Sequence, residues 1–333
     1  KCPKMKLSDF DYALPKERIA LYPAHQRDES KLMVLDRKKK TIDHRVFKEI
    51  TDYFHEGDLM VLNDTKVLPC RLNGFRRSGG KVEILLLERT HDLTFNALIK
   101  PQRLRLNEEI LFEGNSIVAT VTAKNEVAFK AESVEAIYAR GLMPLPPYIK
   151  RDPQDSDREY YQTVYAHHAG SIAAPTAGLH FTTELLARIQ SLGVDIAYLT
   201  LHVGYATFKP VKAQEISLHA MGKEYFQISE MTQQLIEKAR ARKSRIIAVG
   251  TTSCRVLETY AGGLTQGYTN LFIYPGYRFK IVDGLITNFH LARTTLLMLA
   301  SAFTGKTLLD EAYQVALEHK YRFYSYGDAM LVI

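Results

Sequence analysis

Three histidines in the sequence are candidates for proton transfer. His180, His202 and His290 each lie beside the end of an expected strand or helix, where a side chain can face a ligand. An imidazole titrates close to neutral pH, so histidine suits general acid–base catalysis. A lone histidine can also serve as a buried hydrogen-bonding group, and this alternative stays open for each of the three. His167 and His168 are adjacent and would point apart on a strand, so they do not predict a chelating pair.

A glycine followed by hydroxyl residues joins an expected buried strand to a helix. The segment is Gly250, Thr251, Thr252 and Ser253, with Arg255 one turn into the helix. Ligands of open α/β sheets bind at the carboxyl ends of strands, and free amides at a helix N-terminus can hold a carboxylate or a ribose. Arg255 could pair with a carboxylate through two parallel hydrogen bonds. The segment therefore predicts a substrate-binding turn, and a simple helix cap is the alternative.

Other polar residues follow expected strands or aromatic runs. Asp64 and Lys66 come directly after a buried strand, and their alternative role is a turn in which Asp64 bonds its own backbone. Thr287 and Asn288 end a hydrophobic strand just before a helix. Asp328 lies in a run of aromatic residues that could stack on a purine, although most such runs are core. We predict that these five residues bind substrate.

A segment rich in small residues, 165–181, organises the chain around it. Gly170 and Gly178 interrupt any helical or strand period, so we expect a shaped loop. Small side chains allow a ligand to approach the main chain closely. Thr176, Gly178 and Phe181 are therefore predicted to bind substrate, and an ordinary surface loop is the alternative.

A helix is predicted directly after this loop, over 182–192. Thr182 or Thr183 can cap it, and Gly193 ends it. His180 would then lie beside a helix N-terminus, whose positive potential lowers the pKa of an imidazole and keeps it neutral, as a base requires.

Composition and missing motifs narrow the class of protein. The chain has 333 residues, 46% of them hydrophobic, and a formal net charge of +7, which fits a soluble two-domain protein and permits RNA binding. No apolar run approaches the ~18 residues of a membrane span. There is neither a G-x-G-x-x-G nor a G-x-x-x-x-G-K-[S/T] motif, which disfavours dinucleotide-fold dehydrogenases and P-loop enzymes. Three unpaired cysteines without metal-ligand spacing fit a reducing cytoplasm and no metal site.

The expected elements predict an α/β fold with an inserted barrel. Short β-rich runs at 81–87, 94–99 and 116–121 predict a small β-barrel domain over 69–150, closed by a proline-rich linker. Helices and strands alternate over 151–333, with strands predicted near 194–203, 245–249 and 271–274, so a layered domain with a largely parallel sheet is expected. This catalytic domain is predicted to comprise 5–68 and 151–333, with Met5 as the natural first residue. Basic residues within 37–40, 76–77 and 100–105 are candidates for phosphate contact.

Eight stretches carry a resemblance to a known family. They occur in one order at 61–69, 161–166, 165–181, 201–204, 249–253, 272–277, 285–291 and 324–330. The chain resembles the S-adenosylmethionine:tRNA ribosyltransferase-isomerase family of queuosine biosynthesis. Several long matches in one order are far more specific than a single glycine motif.

The resemblance implies an unusual use of S-adenosylmethionine. The family transfers and isomerises its ribosyl moiety onto 7-aminomethyl-7-deazaguanine at the tRNA wobble position. The product is epoxyqueuosine-tRNA, and adenine and methionine are released. Such a reaction needs a base for a proton beside the sulfonium and a donor for the departing adenine, which His180, His202 and His290 are expected to supply. We expect a cytoplasmic monomer that binds tRNA and S-adenosylmethionine and uses no metal or other cofactor.

Two other classes of function remain as alternatives. A non-catalytic RNA-binding module would carry the same barrel and basic residues but would ignore S-adenosylmethionine. A tRNA methyltransferase would pass the methyl group of the donor to RNA, so the donor fragment that reaches the RNA distinguishes it.

Overall fold

The computed structural model describes residues 5–114, 117–208 and 211–333. The strands are β1 (Lys31–Asp36), β2 (Thr41–Val46), β3 (Leu59–Asn63), β4 (Thr65–Val67), β5 (Arg71–Arg76), β6 (Lys81–His91), β7 (Thr94–Lys100), β8 (Glu109–Leu111), β9 (Val118–Ala123), β10 (Glu126–Lys130), β11 (His168–Ser171), β12 (Asp195–Leu201), β13 (Glu224–Ile228), β14 (Ile246–Val249), β15 (Gln266–Thr269), β16 (Gly284–Asn288) and β17 (Ala329–Val332). The α-helices are α1 (Val134–Ala139), α2 (Asp157–Tyr160), α3 (Thr183–Ser191), α4 (Glu230–Arg242), α5 (Gly250–Tyr260), α6 (Thr295–Thr304) and α7 (Lys306–Glu318). No helix in these three ranges is long and apolar enough to cross a membrane.

A nine-stranded sheet forms the main layer. Its order is β15-β13-β12-β3-β14-β16-β17-β1-β2. The central strands β12, β3, β14 and β16 run parallel, as do β17 and β1, whereas the other neighbouring pairs are antiparallel. The α/β class is confirmed, but the sheet is mixed and its parallel part is the centre. The parallel neighbours β14 and β16 are joined by a long connection that contains α5, whereas the antiparallel neighbours β1 and β2 are joined by a short turn.

The central strand β3 shows why the sheet is buried on both faces. Leu59 and Val61 pack with Leu257 of α5, whereas Met60 and Leu62 pack with Leu185 of α3. Successive side chains of a strand point to opposite faces, so a continuous apolar run indicates a strand covered on both sides. This arrangement keeps the carboxyl ends of the parallel strands at one edge of the sheet.

The inserted barrel is present. Strands β5 to β10 close in the order β10-β7-β6-β5-β8-β9, and all of them lie within the predicted segment 69–150. Residue 116, the first of one predicted run, lies outside the described part of the chain; β9 begins at Val118. Beyond the barrel, Met143, Leu145 and Ile149 pack in a cluster with Tyr161 and other residues outside the barrel segment. The domain boundaries at 68/69 and 150/151 stay a prediction.

Several local predictions hold and two do not. Thr182 caps α3 by accepting a hydrogen bond from the Leu185 amide at 3.1 Å, as predicted. The segment Gly250 to Ser253 is not a turn before a helix but the first turn of α5 itself. The strand predicted near 271–274 lies instead at Gln266–Thr269, because β13 offers its free edge there. The Leu271 carbonyl accepts a hydrogen bond from Arg255 of α5 rather than from a strand.

Candidate active site

A cavity of about 800 Å³ opens at the carboxyl edge of the central parallel strands. Four segments, 173–177, 250–252, 287–291 and 324–325, form most of its wall. The predicted site residues that line it are Thr176, Gly250, Thr251, Thr252, Thr287, Asn288 and His290. Sheet topology brings them together, because β14 and β16 are parallel neighbours that both end at this edge.

The N-terminus of α5 forms one wall with unused hydrogen-bonding groups. Gly250 has φ +89°, a backbone conformation that favours glycine, and it turns the chain from β14 into the helix. The N-cap residue, Val249, has no side-chain oxygen with which to cap the first amides of α5. The Thr252 hydroxyl is buried and has no hydrogen-bond partner among the described residues. Unpaired buried polar groups are costly, so this wall is suited to a polar ligand.

His290 is the candidate catalytic histidine that lines the cavity. Its Nε2 lies 2.8 Å from the Thr287 hydroxyl, and its backbone amide donates to the Tyr313 hydroxyl at 2.7 Å. Nδ1 has no hydrogen-bond partner within the described ranges. Burial lowers the pKa of His290 to about 3, so the imidazole is neutral at physiological pH. One ring nitrogen therefore stays unprotonated in the cavity, but so low a pKa also makes the ring a weak base.

His180 lies behind the cavity wall rather than in it. Its Nδ1 is 2.7 Å from the Ser30 hydroxyl, its Nε2 is 3.1 Å from the Asn288 amide nitrogen, and its ring stacks on Phe47. Burial first, and next the nearby Arg322 charge, lower the pKa of His180 to about 3. The imidazole is neutral as predicted, but burial rather than a helix N-terminus is the main cause. Both ring nitrogens are already engaged.

His202 belongs to a separate cluster around strands β4 and β11. Its Nδ1 lies 2.8 Å from the Thr65 hydroxyl, and a Cβ at Gly170 would come within 2.7 Å of its ring. Burial, and next the neighbouring His168, lower the pKa of His202. Asp64 accepts a hydrogen bond from another hydroxyl of this cluster at 2.7 Å. Neither His202 nor Asp64 lines the cavity. The space that Gly170 leaves open is filled by the His202 ring, not by a ligand.

Arg255 points away from the cavity. It forms a buried ion pair with Glu224 of β13, and its Nε donates to the Leu271 carbonyl at 3.0 Å. Glu224 is held in turn by the Gly204 amide at 3.0 Å and the Thr207 hydroxyl at 3.0 Å. The predicted pairing of Arg255 with a ligand carboxylate would require it to leave this network.

The remaining predicted residues also lie outside the cavity wall. A Cβ at Gly178 would come within 2.0 Å of the Tyr165 hydroxyl, so a protein side chain fills that space. Phe181 and Ser253 are fully buried, and Lys66 is exposed. The Asp328 carboxylate accepts hydrogen bonds from the amides of Lys31 at 3.0 Å and Arg322 at 2.7 Å. These positions support the fold around the site.

Two tyrosines that sequence reasoning did not select line the cavity. The ring centroids of Tyr148 and Tyr324 are 4.7 Å apart, and the Tyr148 hydroxyl is 2.6 Å from that of Ser325. Tyr324 has φ +75°, which is unfavourable for a bulky residue and typical of functional sites. Only the aromatic run around Tyr324 gave a signal in the sequence; Tyr148 follows the proline-rich linker and gave none.

Several residues of the predicted basic clusters are engaged in contacts within the protein and are therefore less available for phosphate groups than the sequence suggested. Arg76 and Arg77 pair with Glu108 and Glu109. Lys100 pairs with Glu83. The Arg37 guanidinium donates to two backbone carbonyls and lies 4.0 Å from the centroid of the Phe303 ring. Among the described residues of the three clusters, five have no ion pair, namely Arg37, Lys38, Lys40, Arg103 and Arg105.

Within the described ranges, no group of three or more His, Cys, Asp or Glu side chains could hold a metal ion. Free Cys70 and Cys254 are both buried, and burial raises both thiol pKa values. The expectation of a reaction without metal or other cofactor stays a prediction.

The chain is similar to proteins of one family over its whole length. The profile of the family described as "Queuosine biosynthesis protein" matches residues 7–332. A protein from Sulfurihydrogenibium sp. (strain YO3AOP1), called S-adenosylmethionine:tRNA ribosyltransferase-isomerase, is 50% identical and covers 99% of this chain and 100% of itself. A protein of the same name from Caldanaerobacter subterraneus subsp. tengcongensis is 49% identical with the same coverage. The crystal structure of an S-adenosylmethionine tRNA ribosyltransferase from Thermotoga maritima has a TM-score of 0.57 and 37% identity, covering 98% of this chain and 100% of that one.

Proposed function

The chain belongs to the queuosine biosynthesis protein family, and we propose that it acts as an S-adenosylmethionine:tRNA ribosyltransferase-isomerase. It transfers the ribosyl moiety of S-adenosylmethionine to a modified base in tRNA and isomerises it, releasing adenine and methionine. The observation that carries the assignment to this site is the cavity itself. It gathers residues from six of the eight family-like stretches, and it lies where ligands of α/β sheets bind.

The cavity suits the donor substrate. Its wall combines aromatic and apolar side chains with a few unpaired polar groups, as small-molecule sites commonly do. The uncapped amides of α5 and the Thr252 hydroxyl are placed to bind ribose hydroxyls or the methionine carboxylate. The faces of Tyr148 and Tyr324 offer aromatic surface to the adenine or to the sulfonium cation.

Proton transfer is assigned in this proposal to His290. The reaction begins with removal of a proton beside the sulfonium, where the positive sulfur stabilises the carbanion. A neutral imidazole that faces the cavity can accept this proton, and the Thr287 hydroxyl orients the ring. The low pKa makes the neutral imidazole a weak base and the imidazolium a strong acid, and the acidity favours return of the proton at a later step, such as departure of adenine.

The finer properties of the acceptor and the assembly are part of the same proposal. The acceptor base is 7-aminomethyl-7-deazaguanine at the wobble position of tRNA, and its amine must reach the cavity in near-attack geometry. We further propose that the enzyme acts as a monomer in the cytoplasm, where its tRNA substrate is found, and without a metal or other cofactor.

One experiment separates this function from both alternatives. Purified protein is incubated with substrate tRNA and S-adenosylmethionine labelled either in the ribose or in the methyl group. We expect the ribose label, and not the methyl label, to enter the RNA with release of free adenine. Transfer of the methyl label would indicate a methyltransferase, and binding of RNA without any transfer would indicate a binding module.

A further inference from the structure

Asn288 is held in one orientation by its neighbours. Its Nδ2 atom lies 3.2 Å from the Tyr324 carbonyl and 3.1 Å from Nε2 of His180. A carbonyl oxygen only accepts hydrogen bonds, so the NH₂ group of the Asn288 side chain, and not its amide oxygen, must face the Tyr324 carbonyl. The same nitrogen then donates its other proton to His180, which must present an unprotonated Nε2.

The contacts of His180 agree with this assignment. Its proton lies on Nδ1 and is donated to the Ser30 hydroxyl at 2.7 Å. A charged imidazolium would place a second donor against the Asn288 amide, and burial keeps His180 in its neutral form. Nε2 of His180 and the carbonyl of Tyr324 therefore accept the two N–H hydrogen bonds that the Asn288 side chain can donate.

The amide oxygen is what Asn288 leaves unused. Oδ1 is buried and has no hydrogen-bond partner among the described residues, although Asn288 lines the cavity. A buried acceptor of this kind is costly unless a ligand supplies a donor. The site is thus prepared for an N–H group of the ligand and would disfavour a carbonyl oxygen in the same place.

The charge of the cavity wall distinguishes between the two amino groups of S-adenosylmethionine, the charged α-amino group and the neutral 6-amino group of adenine. None of the described residues that line it carries a charged carboxylate, lysine or arginine side chain. An ammonium group would find no carboxylate there, whereas a neutral aromatic amine needs only an acceptor. Tyr324 and Phe289 beside Asn288 provide the aromatic and apolar surroundings that suit a purine.

We infer that Asn288 recognises the 6-amino group of adenine through Oδ1, and that His180 is a positioning residue that holds the Asn288 amide in this orientation. The inference rests on the proposed function, because it assumes that S-adenosylmethionine occupies the cavity.

Calorimetry with two nucleosides tests the first half. S-adenosylhomocysteine carries the 6-amino group, whereas S-inosylhomocysteine carries an oxygen in its place. We expect the wild-type protein to bind the adenosyl compound roughly 10- to 100-fold more tightly, because the 6-oxygen would face Oδ1. Asn288→Ala should lower this ratio to within a few-fold of one. An equal affinity of the wild-type protein for both compounds would overturn the inference.

A third compound distinguishes the two amino groups. The analogue of S-adenosylhomocysteine that lacks the α-amino group measures what that group contributes to binding. The ratio of the affinities for S-adenosylhomocysteine and this analogue should be the same in Asn288→Ala as in the wild-type protein. If Asn288→Ala removes the preference for the α-amino group instead, Asn288 reads the ammonium and the inference fails. Failure of the wild-type protein to bind S-adenosylhomocysteine and S-adenosylmethionine at all would refute the proposed function together with it.

His180 variants test the second half. His180→Leu removes the acceptor for Asn288, so the adenosyl-to-inosyl ratio should fall several-fold, while His180→Gln offers an amide oxygen and should retain it. A merely structural role would lower both affinities in parallel and leave the ratio unchanged in each variant, which would overturn the positioning role. If His180→Leu does not fold, Ser30→Ala tests the same chain of contacts, because it removes the partner that holds the proton on Nδ1.

Discussion

The Nε2 atom of His290 lies 2.8 Å from the hydroxyl of Thr287, three residues earlier in the chain. Thr287 is still within β16, whereas His290 lies just beyond the strand. The end of a central strand therefore orients the imidazole that faces the cavity. Of the three histidines singled out from the sequence, His290 is the one that lines the cavity, and we therefore propose that it acts on a bound ligand.

Replacement of His290 by alanine should reduce turnover while donor binding changes within a few-fold. A loss of about 10²- to 10⁴-fold in kcat is the usual range for general acid–base catalysis. Single-turnover assays with substrate tRNA measure the rate, and calorimetry measures binding. His25→Ala, at an exposed position, is the matched control and should leave both unchanged. Near-normal turnover of His290→Ala would remove the residue from the mechanism.

Thr252→Val should weaken donor binding by about 3- to 10-fold, the value of a typical hydrogen bond, because it removes a buried hydroxyl that has no partner among the described residues. The melting temperature of the free protein should not fall, since the hydroxyl has no partner there. Thr259→Val, on the same helix, is the control. Its hydroxyl lies 2.8 Å from the Arg255 carbonyl, so it should affect stability rather than binding. Unchanged donor affinity in Thr252→Val would place the donor elsewhere.

Arg255→Met should destabilise the protein by roughly 3–5 kcal/mol, because it leaves the Glu224 carboxylate buried without its partner. The double variant Arg255→Met, Glu224→Gln should recover much of this loss, since no charge then remains unpaired. Urea unfolding of the two variants measures the difference. If Arg255→Met keeps wild-type stability but no longer binds the donor, Arg255 is a ligand-binding residue, as its sequence position suggested.

Stability should fall as the pH is lowered below about 6.5. Burial lowers the pKa values of His180 and His290 to about 3 in the folded protein, whereas an unfolded histidine titrates near its ordinary value of about 6.5. Between these values the unfolded chain binds more protons, so each histidine can cost up to about 1.4 kcal/mol per pH unit. Urea unfolding between pH 7.5 and 5 measures the slope. His180→Gln should reduce it, and an unchanged slope would mean that His180 is not buried as a neutral ring.

Affinity for tRNA should fall linearly with the logarithm of salt concentration if several phosphates are neutralised. Among the predicted basic clusters, Arg103 and Arg105 have no ion pair with any described residue, whereas Arg77 pairs with Glu109. Arg103→Glu with Arg105→Glu should weaken tRNA binding and reduce the salt slope. The double variant Lys38→Glu, Lys40→Glu tests the 37–40 cluster in the same way. Filter binding measures the tRNA affinity of both double variants. A wild-type slope in both double variants would place the RNA on another surface.

The sequence alone indicated several of the segments that line the cavity. Val249 ends a buried strand before Gly250, and Thr287 and Asn288 end another before His290, so substrate contacts were predicted at the carboxyl ends of both strands. This worked because the carboxyl ends of parallel strands meet at the same edge whatever the details of packing. The barrel and most helices were equally readable, since hydrophobic period and caps are local properties.

Only the tertiary structure decided what each polar side chain touches. Arg255 finds Glu224 on a strand that pairs at the edge of the sheet, and His180 lies behind Asn288, more than a hundred residues away in sequence. Tyr148 lines the cavity from the segment after the barrel, where no hydrophobic periodicity in the sequence predicts its position. Contacts of this kind depend on how distant elements pack, and burial then sets the pKa of each imidazole. Residue type and spacing could propose these side chains for chemistry, but only packing separates His290, which faces the cavity, from His180, which contacts Asn288 behind it.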